Sequence, residues 1–149
     1  MVRRAIKSLL AFAGAEIRLM RRLDGKVFGF ELKRREQNVT RGNVIQSTVQ
    51  NQLIYFFVTN EDDLIQREHV RGRFYEEEEL GIIAKHFKGG TFVDIGANVG
   101  NHSIFAAKFL GASTVIAFEP NPASYVTFKC NMALNGLESR IVAPRCGAF

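Results

Sequence analysis

Two acidic residues, each closing a short apolar run, are the groups in this chain best placed to do chemistry. Asp94 lies in Phe92-Val93-Asp94-Ile95 and is followed by Gly96-Ala97-Asn98-Val99-Gly100-Asn101-His102. Glu119 follows Val115-Ile116-Ala117-Phe118 and precedes Pro120-Asn121. Gly96 lets the chain turn sharply off a strand end and lets a ligand approach bare backbone, while Gly100 permits close helix–sheet contact. Asn98 stands where such loops often carry a third glycine, and Asn is the non-glycine residue that best tolerates a left-handed conformation. A Gly-rich turn alone is weak evidence, because many such turns only allow tight packing. The second acid adds to it. Glu119 falls 23 residues after Gly96, where a Rossmann-type fold presents a carboxylate to ribose, two acceptor oxygens matching two vicinal hydroxyls.

Spacing and charge choose among cofactors. The dinucleotide fingerprint would need glycines at 96, 98 and 101, and positions 98 and 101 are both Asn. A phosphate-binding P-loop would need Gly-Lys-Ser/Thr, whereas Gly100 is followed by Asn101-His102 and no Lys or Arg lies in the loop. Asp94 repels a pyrophosphate and favours a cofactor with a cationic amino group and a sulfonium centre. The expected cofactor is S-adenosylmethionine, with an NAD-dependent oxidoreductase as a lesser reading.

The elements that must position these residues alternate. Thr91 to Ile95 reads as a buried-type strand, Asn101 to Leu110 as a helix, Thr114 to Phe118 as a strand, Asn121 to Leu134 as a helix ending at Asn135-Gly136, and Arg140 to Ala143 as the start of a third strand. That order predicts right-handed βαβ units and a parallel sheet, an α/β fold of Rossmann-like type. Upstream, a helical pattern begins at Phe74, with Leu80, Ile83 and Phe87 on one face, the acidic run Glu76 to Glu79 in its first turn and Gly89-Gly90 at its end. Before it, Val27 to Leu32, Val44 to Val49 and Leu53 to Val58 read as short antiparallel strands.

The remaining composition bounds the partners. The 149 residues are 46% hydrophobic, enough for one globular domain, and the net charge of +5 is unevenly placed. Residues 1–41 hold 11 Lys/Arg against 4 Asp/Glu, a local +7 that leaves −2 for the rest. Val2, Ile6, Leu9, Ala13, Ile17, Met20 and Leu23 step by three or four, which predicts a basic amphipathic helix over residues 2–23 in preference to a signal peptide. That helix either packs on its own domain or makes a peripheral membrane contact. Because the basic residues cluster there without aromatic stacking partners, no nucleic-acid partner is expected. Cys130 and Cys146 are the only cysteines, in no Cys/His cluster of zinc spacing, and are expected to be reduced and buried. The expected localisation is cytoplasmic or membrane-peripheral.

VDIGANVGNHSIFAA, then AFEPNP, then NxALNGL resembles the FkbM family of class I methyltransferases, over residues 63–149. The resemblance implies that Asp94, Gly96, Ala97, Asn98 and Gly100 hold the methionine part of S-adenosylmethionine, with Asn101, His102 and Ser103 at the helix start beside it. It implies that Glu119 holds the ribose, with Pro120 and Asn121 shaping the adenine side. It further implies methyl transfer to a hydroxyl of a sugar, glycan or secondary metabolite. His69, His86 and His102 are the titratable candidates for a general base, and the sequence singles out none of them; His86 reads as a surface residue. The expected division is a helix and small β-rich extension over 1–62, then the first half of a Rossmann-like domain over 63–149, ending just after the third strand. Residues 1–149 alone are expected to bind cofactor weakly and not turn over. The competing reading is a non-catalytic nucleotide-binding or interaction module that associates through its open sheet edge.

Overall fold

The computed structural model describes residues 16–23, 27–33 and 39–144. Its first half is an antiparallel meander of β1 (Glu16–Leu23), β2 (Val27–Lys33), β3 (Val39–Val49) and β4 (Gln52–Val58), in that spatial order. The β3–β4 turn is two residues long, and Gln50 and Asn51 both take positive φ, 46° and 62°. Two left-handed residues match the twist of a tight hairpin, so this turn fixes the register that sets Val49 opposite Gln52. Ile54 to Val58 are buried without alternation. An apolar run buried on both faces is the mark of a strand covered on both sides.

Residues 16–23 correct the expected helix over 2–23. They are extended and paired with β2, with Ile17 opposite Leu32 and Leu19 opposite Phe30. Besides the three-and-four stepping that fitted a helix, the segment carries Ile17 and Leu19 two residues apart, the spacing of a strand face, and a neighbouring strand supplies the backbone partners that decide between the two. Residues 1–15, the rest of that expected helix, and Cys146 lie outside the described residues. Among the described residues, no helix is long and apolar enough to cross a membrane.

Two helices lead into the second half. In α1 (Leu64–Val70), the Asp63 carboxylate caps the start by accepting the Gln66 N–H at 2.9 Å. In α2 (Glu77–His86), three glutamates fill the first turn and Lys85 and His86 the last, both favourable to the helix dipole. The expected helical face is present, with Leu80 buried and Ile83 and Phe87 partly so.

Then β5 (Gly90–Ile95), α3 (Asn101–Phe109), β6 (Ala112–Phe118), α4 (Pro122–Leu134) and β7 (Ile141–Val142) form a parallel sheet of order β5-β6-β7 with helical crossovers. Parallel neighbours require such crossovers. Asn121 caps α4, accepting the N–H groups of Ala123 and Ser124, and Pro122 occupies the first turn, where a missing N–H costs nothing. The helix ends where Gly136, at φ +66°, donates to Ala133 and Leu137 donates to Met132. This is the Schellman arrangement, and it buries Leu137.

The core joins both halves. Phe74 sits edge-on to Phe56, Phe105 and Phe109, with centroids 5.2, 5.2 and 5.7 Å away. Phe56 and Phe128 are fully buried, each worth roughly 1.5–3 kcal/mol of transfer free energy. On the other face of the parallel sheet Val93, Ile95 and Val142 are exposed.

Candidate functional site

The carboxyl ends of β5 and β6 lie side by side, with Asp94 opposite Ala117 and Ile95 opposite Phe118. This register brings Asp94, the turn from Gly96 to Gly100, and Glu119 to one edge of the sheet. Gly96 has φ +81°, Asn98 +50° and Gly100 +90°. Asn98 therefore takes the left-handed conformation that its residue type suits. The N–H groups of Gly96 and Ala97 both donate to the Phe118 carbonyl, at 2.9 and 3.0 Å, and Gly100 donates to Ala97 at 2.7 Å.

The two glycines do different work. A Cβ on Gly100 would fall inside the Phe128 ring, so this residue lets α3 close onto α4. A Cβ on Gly96 would meet nothing within 4 Å, so the space above it is open for a ligand.

Glu119 is the most constrained acid of the site. Its Oε2 accepts the Asn98 N–H at 2.7 Å and its Oε1 the Asn121 N–H at 2.6 Å. Only 7% of its surface is exposed. Each oxygen keeps one lone pair after these bonds, a bidentate acceptor for two neighbouring hydroxyls. Asp94 is half-buried and accepts the Ser103 hydroxyl at 2.5 Å. Pro120 is exposed beside Glu119.

Other expected site residues are engaged elsewhere. The Asn121 side chain is occupied in capping α4. Asn101 is buried, its Oδ1 accepting from the Tyr75 N–H at 2.9 Å and lying 3.1 Å from His69 Nε2, its Nδ2 donating to the Tyr75 carbonyl at 2.9 Å. It grips the segment before α2 and offers no open amide to the crevice. His102 Nε2 lies 3.7 Å from Glu76 Oε2, and Glu76 itself is left-handed at φ 58°.

His69 is not placed as a general base. It is fully buried and stacked on Phe56 with ring centroids 4.1 Å apart. The pair of hydrogen bonds between Asn101 and the Tyr75 backbone fixes the amide so that Oδ1 faces His69, which makes Nε2 the donor and leaves Nδ1 without a partner. Burial pushes its pKa down from 6.5 to about 4, against the raising effect of the Asn101 hydrogen bond. His86 is exposed in the last turn of α2. Among the described residues, no group of His, Cys, Asp and Glu stands close enough to hold a metal ion.

A parallel α/β sheet with a glycine turn on its first strand and a clamped acid on its second defines a Rossmann-like, methyltransferase-type fold. Residues 71–146 match the TRM5/TYW2 methyltransferase domain, and the chain belongs to that family. Methyltransferase 1 of Beauveria bassiana is 40% identical over 55 residues, which span 37% of this chain and 22% of that protein. Methyltransferase sdnD of Sordaria araneosa is 38% identical over 55 residues, 37% of this chain and 21% of that one. The chain thus matches about a fifth of the length of these curated relatives. Among solved structures, TYW2 of P. horikoshii in complex with MeSAdo has a TM-score of 0.49 at 22% identity, covering 78% of this chain and 39% of that one. TYW2 of M. jannaschii in complex with AdoMet has a TM-score of 0.47 at 21% identity, covering 76% and 47%.

The family match bears out a class I S-adenosylmethionine methyltransferase, and the family it names is TRM5/TYW2 where the sequence resembled FkbM. The expectation of no nucleic-acid partner is overturned, because TRM5/TYW2 is a family that acts on tRNA. The basic residues were expected on one helix, and part of that segment is β1 in a four-stranded sheet.

Proposed function

We propose that this chain forms the cofactor-binding part of an S-adenosylmethionine-dependent methyltransferase. The observation that carries the reading is Glu119, held by two backbone N–H groups at the end of β6 with one lone pair on each oxygen, beside the open space over Gly96. Glu119 holds the two ribose hydroxyls. Gly96 and Ala97 pass the methionine part along bare backbone, and Asp94, fixed by Ser103, offers negative charge to its ammonium group. When bound, the cofactor supplies a methyl group on a sulfonium, already a good leaving group, so the protein's contribution is chiefly orientation. Pro120 borders the adenine side.

The family match supports tRNA as the acceptor. The local +7 of residues 1–41, which include β1 and β2, is charge of the sign that a phosphate backbone attracts. The second reading, O-methylation of a sugar, glycan or secondary-metabolite hydroxyl, rests on the VDIGANVGNHS and AFEPNP segments and their FkbM-like character. Mass spectrometry of tRNA nucleosides, glycans and small metabolites from cells with and without the gene separates the two. Loss of a methylated nucleoside is expected. Loss of a methylated glycan or metabolite instead selects the second reading, and no methyl mark lost in any fraction defeats methyl transfer.

A further inference from the structure

The segment Asn131-Met132-Ala133-Leu134-Asn135-Gly136-Leu137 does more than end α4. Its two asparagines face the free edge of β4, the side that β3 does not cover. Asn135 Oδ1 accepts the Tyr55 N–H at 3.1 Å and its Nδ2 donates to the Tyr55 carbonyl at 2.7 Å, as a neighbouring strand would. Asn131 Oδ1 accepts the Phe57 N–H at 2.5 Å. Its Nδ2, however, donates at 2.9 Å to the carbonyl of Val99, inside the glycine turn. Asn131 is fully buried, so neither bond has water as a substitute.

Val99 is flanked by two left-handed residues, Asn98 at φ +50° and Gly100 at +90°. Asn98 in turn presents its N–H to Glu119. Asn tolerates this conformation better than other non-glycine residues, and contacts around the turn favour it further. The Val99 carbonyl is the point at which a side chain of α4 hydrogen-bonds to the turn.

We infer that Asn131 is a positioning residue for cofactor binding: its amide ties the Val99 carbonyl to β4 and so keeps the Asn98 N–H aimed at Glu119. The inference rests on the cofactor reading above for its functional meaning, while its structural half stands on the turn alone. The N-terminal sheet thereby braces the turn through one side chain. Asn135, which grips the same strand but not the turn, is the internal control.

The test compares Asn131→Asp with Asn135→Ala in the 149-residue chain. Asn131→Asp keeps an oxygen for the Phe57 N–H but sets a second oxygen against the Val99 carbonyl. Hydrogen exchange of the amides at 97–100 and calorimetric titration with S-adenosylhomocysteine are the two readouts. Asn131→Asp is expected to speed exchange across the turn and to weaken binding about tenfold, the loss of one buried hydrogen bond. Asn135→Ala is expected to lower thermal stability while leaving turn exchange and affinity within about twofold. Should Asn131→Asp not fold, Asn131→Ser, too short to reach Val99, is read the same way. Wild-type exchange across the turn in a folded Asn131 variant, or equal quickening by Asn135→Ala, overturns the inference. Absence of S-adenosylhomocysteine binding by the wild type defeats the cofactor reading instead, and the exchange arm still decides whether Asn131 holds the turn.

Discussion

Lowering the pH from 7 to 5 should destabilise this chain through one residue, His69. The ring has no exposed surface, stacks on Phe56, and has a single hydrogen bond, from Nε2 to Asn101. Its second nitrogen faces no partner, so protonation there would create a buried, unpaired cation. The folded-state value of about 4 lies below the ordinary 6.5, so the unfolded chain takes up the proton first. The contribution is intact above pH 6.5 and is lost as the pH falls toward 4. The shift translates into about 2 kcal/mol lost between pH 7 and pH 5, and about 3 kcal/mol by pH 4. Urea denaturation of the wild type and of His69→Gln at several pH values isolates this residue from the other titrating groups. The variant should start less stable, through lost stacking, but show a shallower pH dependence, so that the two curves converge as the pH falls. Parallel curves for the two proteins between pH 7 and pH 5 would refute the reasoning.

The two turn glycines should separate packing from binding. Gly100→Ala is expected to cost about 2–4 kcal/mol, because its Cβ would strike the Phe128 ring at a left-handed position. Gly96→Ala is expected to cost only about 1 kcal/mol of backbone strain, since its Cβ meets nothing, yet to abolish S-adenosylhomocysteine binding. Thermal melts and calorimetry on both variants check this, and equal stability losses would contradict it. Glu119→Gln turns one N–H acceptor into a donor facing Asn98 or Asn121, and should cost about 1–2 kcal/mol of stability, read by denaturant titration.

What the sequence made legible was local. The Asp94 to Gly100 turn and the Glu119 strand end are defined by neighbours within a few residues, and β5, α3, β6 and α4 fall within a few residues of the expected bounds. The strands β2 and β4 were visible as β-branched and aromatic runs, and β3 only from Val44 onward, five residues past its start at Val39. What escaped depended on distant partners. β1 is a strand because β2 pairs with it, and the stepping of Ile17, Met20 and Leu23 fitted a helix as well. α1 is a seven-residue helix with no apolar period to announce it. Asn101 stood in the turn motif and was read as a ligand contact. Its amide instead reaches Tyr75 and His69, 26 and 32 residues back. Asn131 belonged to a recognisable string, but its partner Phe57 is 74 residues away, and only the fold reveals what it holds.

The most direct test of the central claim is calorimetric titration of this chain with S-adenosylhomocysteine, NAD and ATP in parallel, repeated on Glu119→Gln. Saturable binding of S-adenosylhomocysteine alone, lost in the Glu119 variant, is the result predicted by a ribose held on that carboxylate. Tighter binding of NAD, or S-adenosylhomocysteine binding that Glu119→Gln leaves unchanged, would contradict it.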